Sequence, residues 1–229
     1  MNKKITLIIF ILINIIIANQ KILIPMDAKQ TNHLKAYGVA YSYLQNGYKV
    51  EWLLNYRGGS FLLDISNSLK RNCHLKGVTY EELNVEEISI IFSTIEEYNM
   101  EIILLEKPPK IAVYSPPNKQ PWDDAVTLAL TYAEIKYDII FDDEIMNDKL
   151  NQYDWLHLHH EDFTGQYGKF YKNYRKQKWY IEMKYNFELS AQKYNFNSVS
   201  EMKKNIAKKI KDYIHNGGFL FAMCSATDS

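Results

Sequence analysis

The chain has 229 residues, with 27 basic and 27 acidic side chains, two cysteines and an apolar share of 47 %. That length holds one large domain or two small ones, and the apolar share is ordinary for a folded protein. Balanced charge excludes a global basic field of the kind that binds nucleic acid, and no repeat or low-complexity tract is present.

Residues 1–20 read as an export signal. Lys3 and Lys4 precede an apolar core over 6–18 that only Asn14 interrupts. This core is too short for a comfortable membrane span, so cleavage near 18–20 is expected rather than a stable membrane anchor. The mature chain is then nearly neutral and periplasmic or secreted. In an oxidising compartment Cys73 and Cys224 have the option of pairing, whereas a nucleophilic Cys224 has to stay free.

Residues 21–26 form a short apolar strand ending at Asp27, with His33 just beyond. Thr31 is placed to cap a helix whose apolar positions are Leu34, Tyr37, Tyr41 and Leu44. Asn46-Gly47 ends it, and 48–54 is the next strand, so a parallel βαβ unit is expected. Arg57-Gly58-Gly59-Ser60 reads as a plain turn, with phosphate binding as the weaker alternative. A short helix over 66–71, a helix over 85–98 and a strand over 100–105 follow. Val85, Ile88, Ile91, Phe92 and Ile95 mark the inward face of the second helix. Pro108-Pro109 separates this N-terminal βαβ segment, 21–107, from a second α/β segment, 108–229.

In the second segment 111–114 is a strand, and the loop 115–121 contains Asn118. Asp123 and Asp124 sit in the first turn of the next helix, where carboxylates suit the helix dipole. Strands over 137–141 and 153–158 are joined by a helical connection over 143–150. The second of these strands runs into His159-His160-Glu161-Asp162. The aromatic and basic insertion 164–197 reads as a solvated helix or lid rather than a binder of single-stranded nucleic acid. Ser198 and Glu201 then make a capping box. The helix they open has Val199, Met202, Ile206, Ile210, Tyr213 and Ile214 on one face and lysines on the other. Gly217-Gly218 stops it, and 219–223 is a buried strand.

That strand delivers Ala222-Met223-Cys224-Ser225-Ala226, of the form small-x-nucleophile-x-small that a sharp strand-to-helix elbow needs. Alanines stand where glycines are usual. A catalytic nucleophile and a buried structural cysteine both remain open. The sequence stops a few residues later without a following helix, so the front part of a longer protein is expected.

Ligands of open parallel sheets bind outside the carboxyl ends of the strands. The expected catalytic group is Cys224 with Ser225, His159 and His160. Asp27, His33, Asn118, Asp123, Asp124, Glu161 and Asp162 are expected to face a small-molecule, glycan or peptide ligand. His157 and His159 share a strand face, and with His160 and Glu161 they offer a divalent metal site as the lesser alternative. No cofactor is expected.

The order from Ile111 to Cys224 resembles the class I glutamine amidotransferase fold, an open, mostly parallel, flavodoxin-like sheet with helices on both faces. The resemblance implies Cys224 as nucleophile, with oxyanion donors at Ser225 and in the turn after the 153–158 strand. The family's histidine and glutamate would fall beyond Ser229. The chain departs from the family at both elbow glycines, in the insertion 164–197, and at His159-His160, where glycines are preferred.

At finer grain KILIPMDAKQTNHLKAYG, VEWLLNYRGGSFLL, PPNKQPWDDAVTLALTYAEI, YDWLHLHHEDFTGQYGKFY and GGFLFAMCSATDS are similar to a family of exported bacterial proteins commonly labelled asparagine synthetase B. The residues do not carry that activity. Asn2 stands where a glutamine-dependent asparagine synthetase has its cysteine, and no Ser-Gly-Gly-x-Asp-Ser loop is present. Two readings follow: an exported cysteine-dependent amide or acyl hydrolase or transferase, and a non-catalytic ligand- or glycan-binding module on the same fold.

Overall fold

A computed structural model describes residues 20–116, 125–159, 173–223 and 226–227. The segment read as an export signal therefore lies outside the described residues, apart from Gln20. The chain divides into two units, 1–108 with 131–135, and 109–130 with 136–229.

The first unit is a five-stranded antiparallel sheet. Its elements are β1 (Lys21–Ile24), α1 (His33–Gln45), β2 (Val50–Leu54), β3 (Ser60–Asp64), α2 (Asn67–Lys76), β4 (Glu81–Leu83), α3 (Val85–Glu97) and β5 (Glu101–Leu105). The strand order is β4-β1-β3-β2-β5. β1 and β2 run the same way, but β3 lies between them and bonds antiparallel to both. This split βαβ arrangement corrects the expected parallel βαβ unit. Arg57-Gly58-Gly59-Ser60 is the turn between β2 and β3, held where the Met26 N–H donates to the Arg57 carbonyl at 3.2 Å.

Side chains alternate across a strand, so each strand feeds two cores. Ile22, Ile24, Phe61 and Leu63 pack with Ala36, Val39 and Ala40 of α1 and Leu69 and Cys73 of α2. Leu23, Leu53 and Leu62 pack with Ile88, Ile91 and Ile95 of α3. The inward face of α1 meets expectation at Tyr41 and Leu44, which are buried, and differs at Leu34 and Tyr37. Leu34 is 43 % exposed, while the small residues Ala36 and Ala40 are buried and let the helix lie close to the sheet. Asn32, not Thr31, caps that helix, accepting from the Lys35 N–H at 3.1 Å.

The second unit contains β6 (Ile111–Tyr114), α4 (Ala125–Ala133), β7 (Tyr137–Ile140), α5 (Asp142–Met146), β8 (Trp155–His159), α6 (Lys178–Lys193), α7 (Val199–His215) and β9 (Phe219–Met223). The last three residues of α4 cluster with the first unit. The sheet is four-stranded and wholly parallel, in the order β7-β6-β8-β9. The protein is thus α/β with two sheets, one antiparallel and one parallel, rather than a single open sheet.

One face of the parallel sheet, with Ala112, Tyr114, Ile140, Leu156 and Leu158, packs with Ala191 of α6 and Met202, Ile206, Ile210 and Tyr213 of α7. The insertion expected as a solvated helix or lid therefore supplies a helix, α6, that buries Tyr180, Phe187 and Ala191. Along edge strand β9, Phe219 is 59 % and Phe221 46 % exposed, where a buried strand was expected.

α7 meets β9 through two glycines with different duties. Gly217 ends the helix at φ +95, with open space around a would-be Cβ. At Gly218 a Cβ would stand 2.1 Å from the buried Tyr213 ring. Gly217→Ala should cost about 1–2 kcal/mol, the strain of a left-handed residue with a side chain. Gly218→Ala should cost about 1–3 kcal/mol, the price of overpacking, with near-ultraviolet dichroism changing at the tyrosine. Urea unfolding checks both. An unchanged tyrosine signal in folded Gly218→Ala would contradict the packing described.

Candidate functional site

The carboxyl ends of the parallel strands carry the polar chemistry of the second unit. β6 ends at Tyr114, β7 leads through Phe141 into Asp142, and β8 ends at His159. Lys203 of α7 reaches this edge from the apolar face. Its Nζ donates to Asp142 Oδ1 at 2.9 Å and to the Tyr114 hydroxyl at 2.9 Å. The Tyr114 hydroxyl in turn donates to the same Asp142 Oδ1.

Lys203 and Asp142 are each 1 % exposed. The ammonium also faces the rings of Phe141 at 4.7 Å and Phe187 at 4.5 Å, which gives the charge a second source of stabilisation. A charge so buried persists only when it is paired and hydrogen-bonded. The other carboxylate oxygen, Asp142 Oδ2, is buried without a hydrogen-bond partner. Leaving such an acceptor unmet costs about 1–3 kcal/mol.

Sequence reasoning passed over this cluster because it placed the lysines of α7 on the outer face. The signal was present. Lys203 follows Val199 by four residues and precedes Ile206 and Ile210 by three and seven, which is the inward helical spacing. Its partners come from strand ends that are distant in the sequence.

His157 and His159 project from the other face of β8. Their ring centroids are 6.0 Å apart, and His157, fully buried, stacks on Phe221 at 5.7 Å. The register pairs His159 with Met223, the residue before Cys224 in the chain. Cys224, Ser225, His160, Glu161, Asp162, Asn118, Asp123 and Asp124 lie outside the described residues. Among the described residues no group of three or more histidine, cysteine, aspartate or glutamate side chains is arranged to hold a metal.

Asp27 and His33 are not at a strand end of the sheet that carries His159, because β1 belongs to the antiparallel sheet. This corrects the expectation that Asp27 and His33 follow a strand of the same open parallel sheet as His159. Asp27 instead accepts from Arg57 Nε at 2.7 Å, and this bond holds its carboxyl below the usual carboxylate range. Arg57 also grips Glu81 with both terminal nitrogens, at 2.8 and 3.0 Å. His33 Nε2 lies 3.2 Å from the Met26 carbonyl. These contacts fasten the β2–β3 turn to the end of β1. Cys73 is a free, buried thiol in the first unit, and burial pushes its pKa up to about 11.

No family model matches the chain, and no curated protein or solved structure is significantly similar to it.

Tyr114→Phe keeps the ring packing against Phe141, whose centroid is 4.9 Å away, and removes only the hydroxyl. It should lower stability by about 1–2 kcal/mol in urea unfolding, the scale of a buried hydrogen bond to charged groups. A variant as stable as the parent would show that the hydroxyl adds nothing to the cluster.

Proposed function

We propose that this chain is an exported α/β protein of the class I glutamine amidotransferase-like, flavodoxin-like kind. In this reading Cys224 attacks the carbonyl of an amide or related acyl group. The observation that carries it is the strand order. β7-β6-β8-β9, all parallel, matches the first four positions of the doubly wound order 2-1-3-4-5. In that order ligands bind at the carboxyl ends beside the switch point, here between β6 and β8.

The His159–Met223 register supports the same reading, since Cys224 and His160 each follow a member of that pair in sequence. In the proposed reaction the thiolate adds to the carbonyl carbon, and backbone N–H groups of the turns at Ser225 and after β8 receive the oxyanion. A histidine, His159 or His160, takes the thiol proton and returns it to the leaving amine. Water then releases the acyl group from sulfur. Export and removal of the leader belong to the same proposal, as does the resemblance to the family labelled asparagine synthetase B. ATP-dependent asparagine synthesis forms no part of it. One observation favours a ligand-binding module as the second reading: among the described residues, the cavity beside Asp142 is lined without His159.

Iodoacetamide labelling at neutral pH tests the first reading, with Cys73 as the internal control. A thiol with its pKa near 11 and no exposure should remain unlabelled in the folded protein. Cys224 should be alkylated faster than a simple free thiol, with the rate lowered in the His159→Ala, His160→Ala double variant. Labelling of Cys224 no faster than the simple thiol would remove the nucleophile reading and leave the binding module.

A further inference from the structure

The sheet of the first unit has an edge strand without the features that keep sheet edges apart. Among the described residues β5 pairs with β2 alone, in an unbroken antiparallel register from Glu101 to Leu105. Ile102, Ile103 and Leu104 are 39 %, 38 % and 49 % exposed. They stand on both faces of the strand. Trp52, opposite Ile103, packs with the core under α1 and α2, and Leu53, opposite Ile102, belongs to the core under α3.

An edge strand presents a row of backbone N–H and C=O groups that template the pairing of another strand. Natural edges are blunted by charge, by proline or by a bulge. β4, the other edge of this sheet, carries Glu81 and Glu82, and the edge strand β7 of the second unit carries Asp138. From Ile102 to Leu105, β5 has no charged residue, no proline and no bulge. β9 is equally uncharged, but the order 2-1-3-4-5 proposed for the second unit places its own fifth strand there.

The charges flanking β5 select its partner. Glu101 opens the apolar run and Glu106-Lys107 follows it, all three exposed. Glu106 is bonded to Lys49 of the same chain at 2.5 Å. A second β5 laid antiparallel about Ile103 sets Ile103 opposite Ile103, Ile102 opposite Leu104 and Glu101 opposite Leu105. Lys107 of the second copy is then the diagonal neighbour of Glu101, at a spacing that long side chains bridge. The two-fold axis repeats this pair, so the strand is complementary to itself, as an isologous interface requires. A parallel pairing in register would instead set Glu101 against Glu101, which is destabilising. Pro108, lacking an N–H, ends the ladder just beyond Lys107.

We propose that β5 is the interface between two copies of this chain, whose five-stranded sheets join edge to edge into one continuous antiparallel sheet. So short a ladder is smaller than the interface of a permanent dimer, and the association is reversible at micromolar concentrations. No residue given to the cysteine chemistry takes part, so each proposal stands or falls without the other.

Sedimentation velocity on the purified full chain, from micromolar to submillimolar concentrations, tests it. Monomer should pass to dimer, and no further, as concentration rises. Ile103→Lys should raise the dissociation constant about ten-fold or more. Glu101→Lys and Lys107→Glu should each weaken the dimer several-fold, and the two combined should restore it. Circular dichroism establishes that each variant is folded. Should Ile103→Lys unfold, Leu104→Lys on the other face of the strand takes its place. A chain that stays monomeric throughout would overturn the proposal, including one whose β5 pairs only with strands of other proteins, and so would growth beyond the dimer. Dimers that survive Ile103→Lys and break in Phe221→Lys would place the contact on β9 and overturn it as well. The same holds for a combined charge variant that dimerises no better than either single one.

Discussion

The second unit depends on where the ammonium of Lys203 is held. A lysine with 1 % exposure has given up its water, and the cost is offset only by what replaces it. Here the replacements come from different parts of the chain: Asp142 after β7, Tyr114 at the end of β6, and the rings of Phe141 and Phe187. The cluster therefore ties α7 and α6 to the carboxyl ends of two strands. Such a buried pair adds little stability over a well-packed apolar core, but breaking it from one side costs about 3–5 kcal/mol. Its effect is to exclude other placements of α7, since a shift of one residue along the helix would carry the ammonium away from its carboxylate.

This anchoring divides the carboxyl edge into two chemical environments. On the face covered by α6 and α7 are Asp142, Tyr114, Lys203 and the cavity. On the other face of β8 are His157 and His159, stacked towards Phe221 of β9. Strand alternation produces the separation, because Leu156 and Leu158 enter the core and the histidines between and after them cannot. Among the described residues, His159 of the proposed cysteine chemistry is therefore on the face opposite the cavity.

Much of this arrangement was legible in the residues. The parallel strands β6, β8 and β9 and the core positions Met202, Ile206, Ile210 and Tyr213 of α7 follow from apolar runs and helical spacing. The first unit was harder to read for a physical reason. Phe61, Leu62 and Leu63 are all buried because α1 and α2 cover one face of the sheet and α3 the other. A strand covered on both sides loses the alternation that identifies strands, so β3 went unread and its position between β1 and β2 with it. The face of α1 misled in part for the opposite reason, since bulky Leu34 and Tyr37 stay exposed while Ala36 and Ala40 make the close contact. Of the expected site, His159 is at the edge proposed for it, whereas Asp27 is committed to Arg57 in the other sheet. Lys203 was missed because a charged residue on an inward spacing was read as part of the solvated face.

The central claim is that Lys203, Asp142 and Tyr114 make the carboxyl edge one cooperative structure. Native-state hydrogen exchange on Lys203→Met tests it most directly, because amides that open together lose protection together. If the claim holds, the amides of Ile111–Tyr114, Tyr137–Ile140 and Val199–His215 become less protected by a common factor. Loss of protection confined to the turn of α7 around residue 203, with β6 and β7 unchanged, would contradict it.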